Sequence, residues 1–283
     1  MSNTAFKVLF FAAALVSVAA VVSCNRSKKS AEPAAEEEEV IVSDVKYNSE
    51  TGSLEWPGGS YRLITVEPGT FTMGPNAKQE ADARDWEKPA HQVTLTKSYM
   101  IGETEVTQEL WVAVMGENPS MTEGENLPVE CVSWNLSHEF IARLNKITGL
   151  AFSLPSEAQW EFAAMGGNLS QGCMYPGSDN LDEVAWYQDN SGNTVHPVAQ
   201  KKPNELGIYD MAGNVWEWCE DYYRGAYPSA ELQTDPLETA KSDNIIRRGG
   251  CWGGFAYFCR HSFRAGLGPS LGGNNCGLRI VLN

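Results

Sequence analysis

Alternating apolar and polar positions set in near Leu54 and give way to a helical rhythm further on. RLITVEPGTFTMG, residues 62–74, alternates with period two and ends on Gly, which predicts a hairpin. HQVTLTKSYMIGETEVT, residues 91–107, continues in that style. VTQELWVAVMG then predicts a helix, with Thr107 as N-cap, Glu109 in the first turn and Gly116 as stop. A second helix is expected in VSWNLSHEFIARLNKITG, apolar at Phe140, Ile141, Leu144 and Ile147 and ending at Gly149. SLPSEAQWEFAAMGG predicts a third, with Ser156 and Gln159 as a capping box and Gly166-Gly167 as its end. Beyond Gly167 the helical period fades, and only loops and brief strands are expected. Two to three helices among short strands make an α+β domain, low in regular secondary structure, over residues 54–283. The sequence shows no internal repeat and no second domain.

Ahead of that domain, Lys7 precedes the apolar run VLFFAAALVSVAAVVSC. At roughly 16 residues the run is short for a membrane span and is flanked like a secretory signal. Its end, Val21-Val22-Ser23-Cys24, resembles a bacterial lipobox. Residues 1–23 are therefore expected to be a lipoprotein signal peptide and Cys24 the lipidated residue. Residues 24–53, which run on from Cys24 as NRSKKSAEPAAEEEE, hold too little apolar surface to fold, which predicts a disordered acidic tether. Arg26, Lys28 and Lys29 would sit level with lipid phosphates. The expected place is the cell envelope, outside the cytoplasm, held to the outer membrane or cell surface by the N-terminal lipid.

Composition narrows the function classes. Apolar residues make up 42% of the chain, which excludes wholesale disorder. The formal charge is −15, without a basic cluster beyond that short patch, so phosphate-driven nucleic-acid binding is excluded. Apart from Cys24 there are Cys131, Cys173, Cys219, Cys251, Cys259 and Cys276, and disulfides are expected outside the cytoplasm with their pairing open. His91, His138, His196 and His261 stand singly and no C-x-x-C occurs, so a structural zinc site is not expected.

Four segments carry chemistry. In Asn204–Trp218, the side chains of Asp210 and Glu217 and carbonyls around Gly213 and Val215 could converge on a hard cation such as Ca²⁺. Alternatively, Asp210 caps a turn and Glu217 pairs with an arginine. Arg247–Trp252 places two glycines beside a thiol. Cys259-Arg260-His261 sets a thiol beside two groups that can lower its pKa, unless Cys259 is a disulfide partner. Asn274–Arg279 leads into the apolar IVL.

In order, TFTMG, ETEVTQELWVAVMGENPS, LPVECVSWNLSHEFIARLN, FSLPSEAQWEFAAMGG, NELGIYDMAGNVWEWCEDYY and RRGGCW…CR…FR…GLRIVL resemble the formylglycine-generating enzymes, or sulfatase-modifying factors. The resemblance spans roughly residues 62–282 and implies their C-type-lectin-like fold. Catalytic members of that family oxidise a Cys in a Cys-x-Pro-x-Arg peptide, using O₂ and Cu(I) held by two cysteines. The resemblance puts the second of these on Cys259 and the first on Gly254, which offers no ligand. It puts the active-site Ser on Cys251, the pocket Trp on Trp216 and the pocket Asn on Asn275. Phe258 replaces an aromatic residue with a hydroxyl. The calcium ligands would be Asp210, Gly213, Val215 and Glu217. The family's two fold disulfides do not transfer, since Ile141, Ala164, Arg264 and Ile280 stand in their places.

The leading expectation is a non-oxidase module that binds a protein or glycan through Trp252, Phe255, Tyr257, Phe258 and Phe263. The second is a formylglycine-generating oxidase built on Cys259, Cys251, Trp216 and Asn275. The third is a diversified lectin-like surface protein, because the stretch from Cys251 to Gly277 has no Lys, Glu, Asp, Gln or Met.

Overall fold

The computed structural model describes residues 44–227 and 229–283. The expected signal peptide, Cys24 and most of the expected tether lie outside the described residues. Thirteen strands appear among them: β1 (Lys46–Asn48), β2 (Ser53–Trp56), β3 (Gly59–Val66), β4 (Gly69–Met73), β5 (His91–Leu95), β6 (Tyr99–Gly102), β7 (Phe152–Ser153), β8 (Trp216–Tyr222), β9 (Gln233–Thr234), β10 (Ile245–Arg248), β11 (Ala265–Leu267), β12 (Cys276–Gly277) and β13 (Val281–Leu282). The helices are α1 (Gln108–Met115), α2 (Trp134–Thr148), α3 (Glu157–Ala164) and the single turn α4 (Leu181–Val184).

Three sheets result, ordered β1-β2-β3-β6-β13-β7, β11-β10-β8-β12 and β4-β5-β9. The expected hairpin over residues 62–74 does not form. β3 pairs with β2 and β6, whereas β4 pairs with β5, so the turn at Glu67-Pro68 carries the chain from one sheet to another. The folded part also reaches back into the expected tether. Lys46–Asn48 pairs with Ser53–Glu55, and Val45, 2% exposed, enters the core.

The helices start where local chemistry places them. The Thr107 and Ser133 side chains accept from the Leu110 and Leu136 N–H groups, and Gly116 and Gly149 close α1 and α2 in the left-handed region. Ser156 and Gln159 form the reciprocal capping box of α3. Asn180 caps α4, a helix too short to leave a periodic signal. Trp111 of α1 stacks on Phe140 of α2, centroids 4.9 Å apart, in the larger core. No helix among the described residues is long and apolar enough to cross a membrane.

Candidate functional site

β8, β10 and β12 bring the sequence-predicted residues to one end of the four-stranded sheet. Cys251 follows β10 and shares a buried apolar cluster with Trp216, Phe263 and Cys276. Asn275 donates from Nδ2 to Cys251 Sγ at 3.5 Å, while its carbonyl accepts from the Trp216 N–H at 2.8 Å. The Arg247 guanidinium lies 4.6 Å from the centre of the Trp216 ring and donates to Cys276 Sγ at 3.3 Å. Cys251, Trp216 and Asn275 therefore meet.

Cys259 ends a 3-10 turn, Ala256–Cys259, and is fully buried in a separate cluster with Leu181, Val184, Tyr187 and Ala212. Burial pushes the Cys251 thiol up to about 11 and the Cys259 thiol further still. This reverses the expectation drawn from Cys259-Arg260-His261. The Arg260 guanidinium turns to both oxygens of Glu87 at 2.8 Å, and the His261 ring meets Asn76 at 3.2 Å. Both side chains are engaged away from the Cys259 thiol. Cys173, Cys219, Cys251, Cys259 and Cys276 all carry free thiols, so the expected disulfide framework is not formed.

Gly254 bears on the copper expectation. A Cβ there would stand 2.9 Å from Phe258 Cδ2 and 3.1 Å from the Cys251 carbonyl oxygen, so a side chain at this position would have to displace its neighbours. A soft Cu(I) ion needs a pair of thiolates. Cys251 lies within electrostatic reach of Cys259, but Gly254 supplies no sulfur where the resemblance places the first ligand, so the pair the family uses does not fit here.

The expected calcium residues are close neighbours, but one of them is engaged. Glu217 accepts from the Arg279 guanidinium at 2.7 to 3.1 Å and from Trp160 Nε1 at 2.6 Å, so both its oxygens are in use. This is the arginine pair that the sequence left open as the alternative. Asp210 accepts from the Ala199 N–H at 2.7 Å through Oδ2, and its buried Oδ1 has no partner. Burial, with a contribution from Glu217, pushes Asp210 up to about 6; burial, then Asp210 and Glu217, raises Glu105 well above its usual range. Among the described residues no three acidic, Cys or His side chains gather as metal ligands. As placed, Glu217 does not fit a cation.

The aromatic segment divides by depth. Phe255 is 44% exposed and stacks on Tyr257, centroids 5.7 Å apart with the planes 14° apart. Trp252 and Phe258 are half-buried, and Trp252 Nε1 donates to the Asn274 carbonyl at 3.0 Å. Phe263 is 4% exposed, packed on Trp216 and Phe258, and lies beneath this face rather than on it.

The profile of the sulfatase-modifying factor enzyme 1-like domain matches residues 59–283. The chain belongs to that family. It is 34% identical to the "Chaperone protein LppX" of Paenibacillus barcinonensis over 77% of this chain and 88% of the relative. It is 30% identical to the formylglycine-generating enzyme of Streptomyces coelicolor over 60% of this chain and 57% of the enzyme. Among solved structures, Treponema denticola variable protein 1 superposes with a TM-score of 0.73 at 29% identity, covering 81% of this chain and 98% of that one. PvdO from Pseudomonas aeruginosa gives 0.69 at 27% identity, covering 78% and 94%. The formylglycine-generating-enzyme-type, C-type-lectin-like fold expected from the sequence is the fold observed.

One layer of this family domain escaped the sequence reading. Four arginines from its C-terminal segment are buried against glutamates of earlier elements: Arg248 on Glu161, Arg260 on Glu87, Arg264 on Glu157 and Arg279 on Glu217. Charge counting could not reveal them, because partners 62 to 173 residues apart give no local pattern.

Proposed function

We propose that this chain is a non-oxidase binding module of its family, lipid-anchored at Cys24 in the cell envelope, presenting the face built around Trp252, Phe255 and Tyr257. The observation that carries the reading is Gly254, tightly flanked by Phe258 and the Cys251 backbone, where the resemblance places a copper-ligating Cys. What is left at that end of the sheet is a rigid ring cluster with its outermost ring in solvent. Aromatic rings on a fixed framework give large contact area at small entropic cost. Identity to a chaperone fits a module whose task is to hold a partner.

Likeness to a variable protein supports a further element of this reading, diversification of the same face. The stretch Cys251–Gly277 divides into a fixed and a changeable part. Arg260 and Arg264 are locked in buried ion pairs, while Gly253, Phe255 and Leu271 are exposed, so substitutions at the exposed positions leave the frame intact.

The test is a screen of the full chain on arrays of glycans and envelope proteins, repeated with Trp252→Ala and Phe255→Ala. The reading predicts a ligand whose binding falls at least about tenfold in both variants, as removal of central aromatic anchors does. Binding that survives both substitutions would place the ligand on another face and overturn it.

A further inference from the structure

Beside the aromatic face lies a cavity of about 350 Å³. Asp82 and Arg84 reach it from the loop after β4, Tyr175 from the loop after α3, and Tyr257 from the Ala256–Cys259 turn. Its walls are fixed. Gln79 Nε2 donates to the Met174 carbonyl at 2.6 Å and Asn76 Nδ2 to that of Cys173 at 2.9 Å, which ties the two loops together. Arg260, 1% exposed, holds Glu87 and also donates to the Asp82 carbonyl at 3.2 Å.

Two charged side chains stand exposed on these walls, Asp82 and Arg84. Neither Asp82 nor Arg84 has an ion-pair partner among the described residues. Burial, then the Cys259 thiol, pushes the Tyr175 phenol up against the opposing pull of Arg260, and a smaller push from Asp82 places that carboxylate within electrostatic reach of the hydroxyl. Arg84 lies 5.2 Å over the Tyr257 ring, whose exposed stacking partner Phe255 immediately precedes Ala256 of the cavity lining.

The cavity thus offers an acceptor-only carboxylate, a donor-only guanidinium and a phenol that does both. Asp82 and Arg84 are opposite in charge, and Glu87 balances the charge of Arg260. A phosphate would face Asp82 and an ammonium would face Arg84, each meeting a like charge, whereas sugar hydroxyls donate and accept and satisfy both groups. The exposed ring supplies an apolar surface for the C–H face of a pyranose, and the volume is at the small end of ligand sites.

We infer that this cavity is a carbohydrate subsite, where Asp82, Arg84 and Tyr175 bond the hydroxyl groups of one neutral sugar and Phe255 carries its apolar face. The inference rests on the binding-module reading and assigns the class of its ligand.

Saturation-transfer NMR followed by calorimetric titration tests it. The full chain, in a detergent without sugar headgroups, is offered glucose, galactose, mannose, N-acetylglucosamine and glucuronic acid. At least one neutral sugar is expected to bind saturably. Asp82→Ala and Tyr175→Phe should each weaken that binding at least about tenfold, with the circular dichroism unchanged. No saturable neutral sugar, binding that survives both substitutions, or a preference for glucuronic acid over all four neutral sugars would overturn the inference. A protein ligand from the arrays that needs Phe255 but not Asp82 would also overturn it, while leaving the binding-module reading in place.

Discussion

Asp221 shows how much one buried carboxyl can control. It accepts backbone N–H groups from Glu157 at 2.7 Å and Glu238 at 2.8 Å, yet burial, then the neighbouring Glu157, pushes it up to about 7. A carboxyl whose folded pKa lies above its unfolded value of 3.8 favours the fold while protonated. Its contribution is complete below the unfolded value and is lost as pH rises through about 7. Urea unfolding of wild type and Asp221→Asn between pH 4 and pH 8 should therefore show wild type losing stability relative to the variant as pH rises; parallel curves would sink this account. Gly254 makes the same point through shape. Gly254→Cys restores the thiol that the family's oxidases carry, but its Cβ meets Phe258 and the Cys251 backbone. We expect a loss of about 1–3 kcal/mol from overpacking, measured by denaturant titration, and no copper-dependent turnover.

The elements differ in how openly the sequence announces them. α1, α2 and α3 were legible because Thr107, Ser133, Ser156 and the closing glycines act within one turn of the helix they bound. The alternation at 62–74 does not reveal the pairing, because alternation reports which face of a strand is buried, not which strand lies beside it. The candidate site divides in the same way. Cys251, Trp216 and Asn275 were legible as neighbours through the family resemblance, while Asp82, Arg84 and Tyr175 meet only once three distant segments have folded. α3 shows why such long-range pairing matters. It supplies Glu157 to Arg264 and Glu161 to Arg248, which fastens the C-terminal segment to the helix. Removing one partner of a buried pair leaves the other charge uncompensated and costs about 3–5 kcal/mol. Glu161→Ala should lose stability of that order, and hydrogen exchange should quicken across residues 249–266. A variant as stable as wild type would show that the pair does not hold the segment.

For the whole molecule, three sheets and four buried arginine–glutamate pairs make a frame that carries loops instead of being built from long regular elements. Such a frame tolerates change on its exposed rim because its cohesion lies underneath. It has its family's fold, and we propose that it lacks the copper pair on which the family's oxidation depends. The most direct measurement is an activity test of the full chain with Cu(I), O₂ and a Cys-x-Pro-x-Arg peptide, following conversion of thiol to aldehyde by mass spectrometry. Cys259→Ser serves as the control. The account predicts no aldehyde from a protein shown by circular dichroism to be folded. Copper-dependent aldehyde that disappears in Cys259→Ser would contradict it and make Cys251 the second copper ligand.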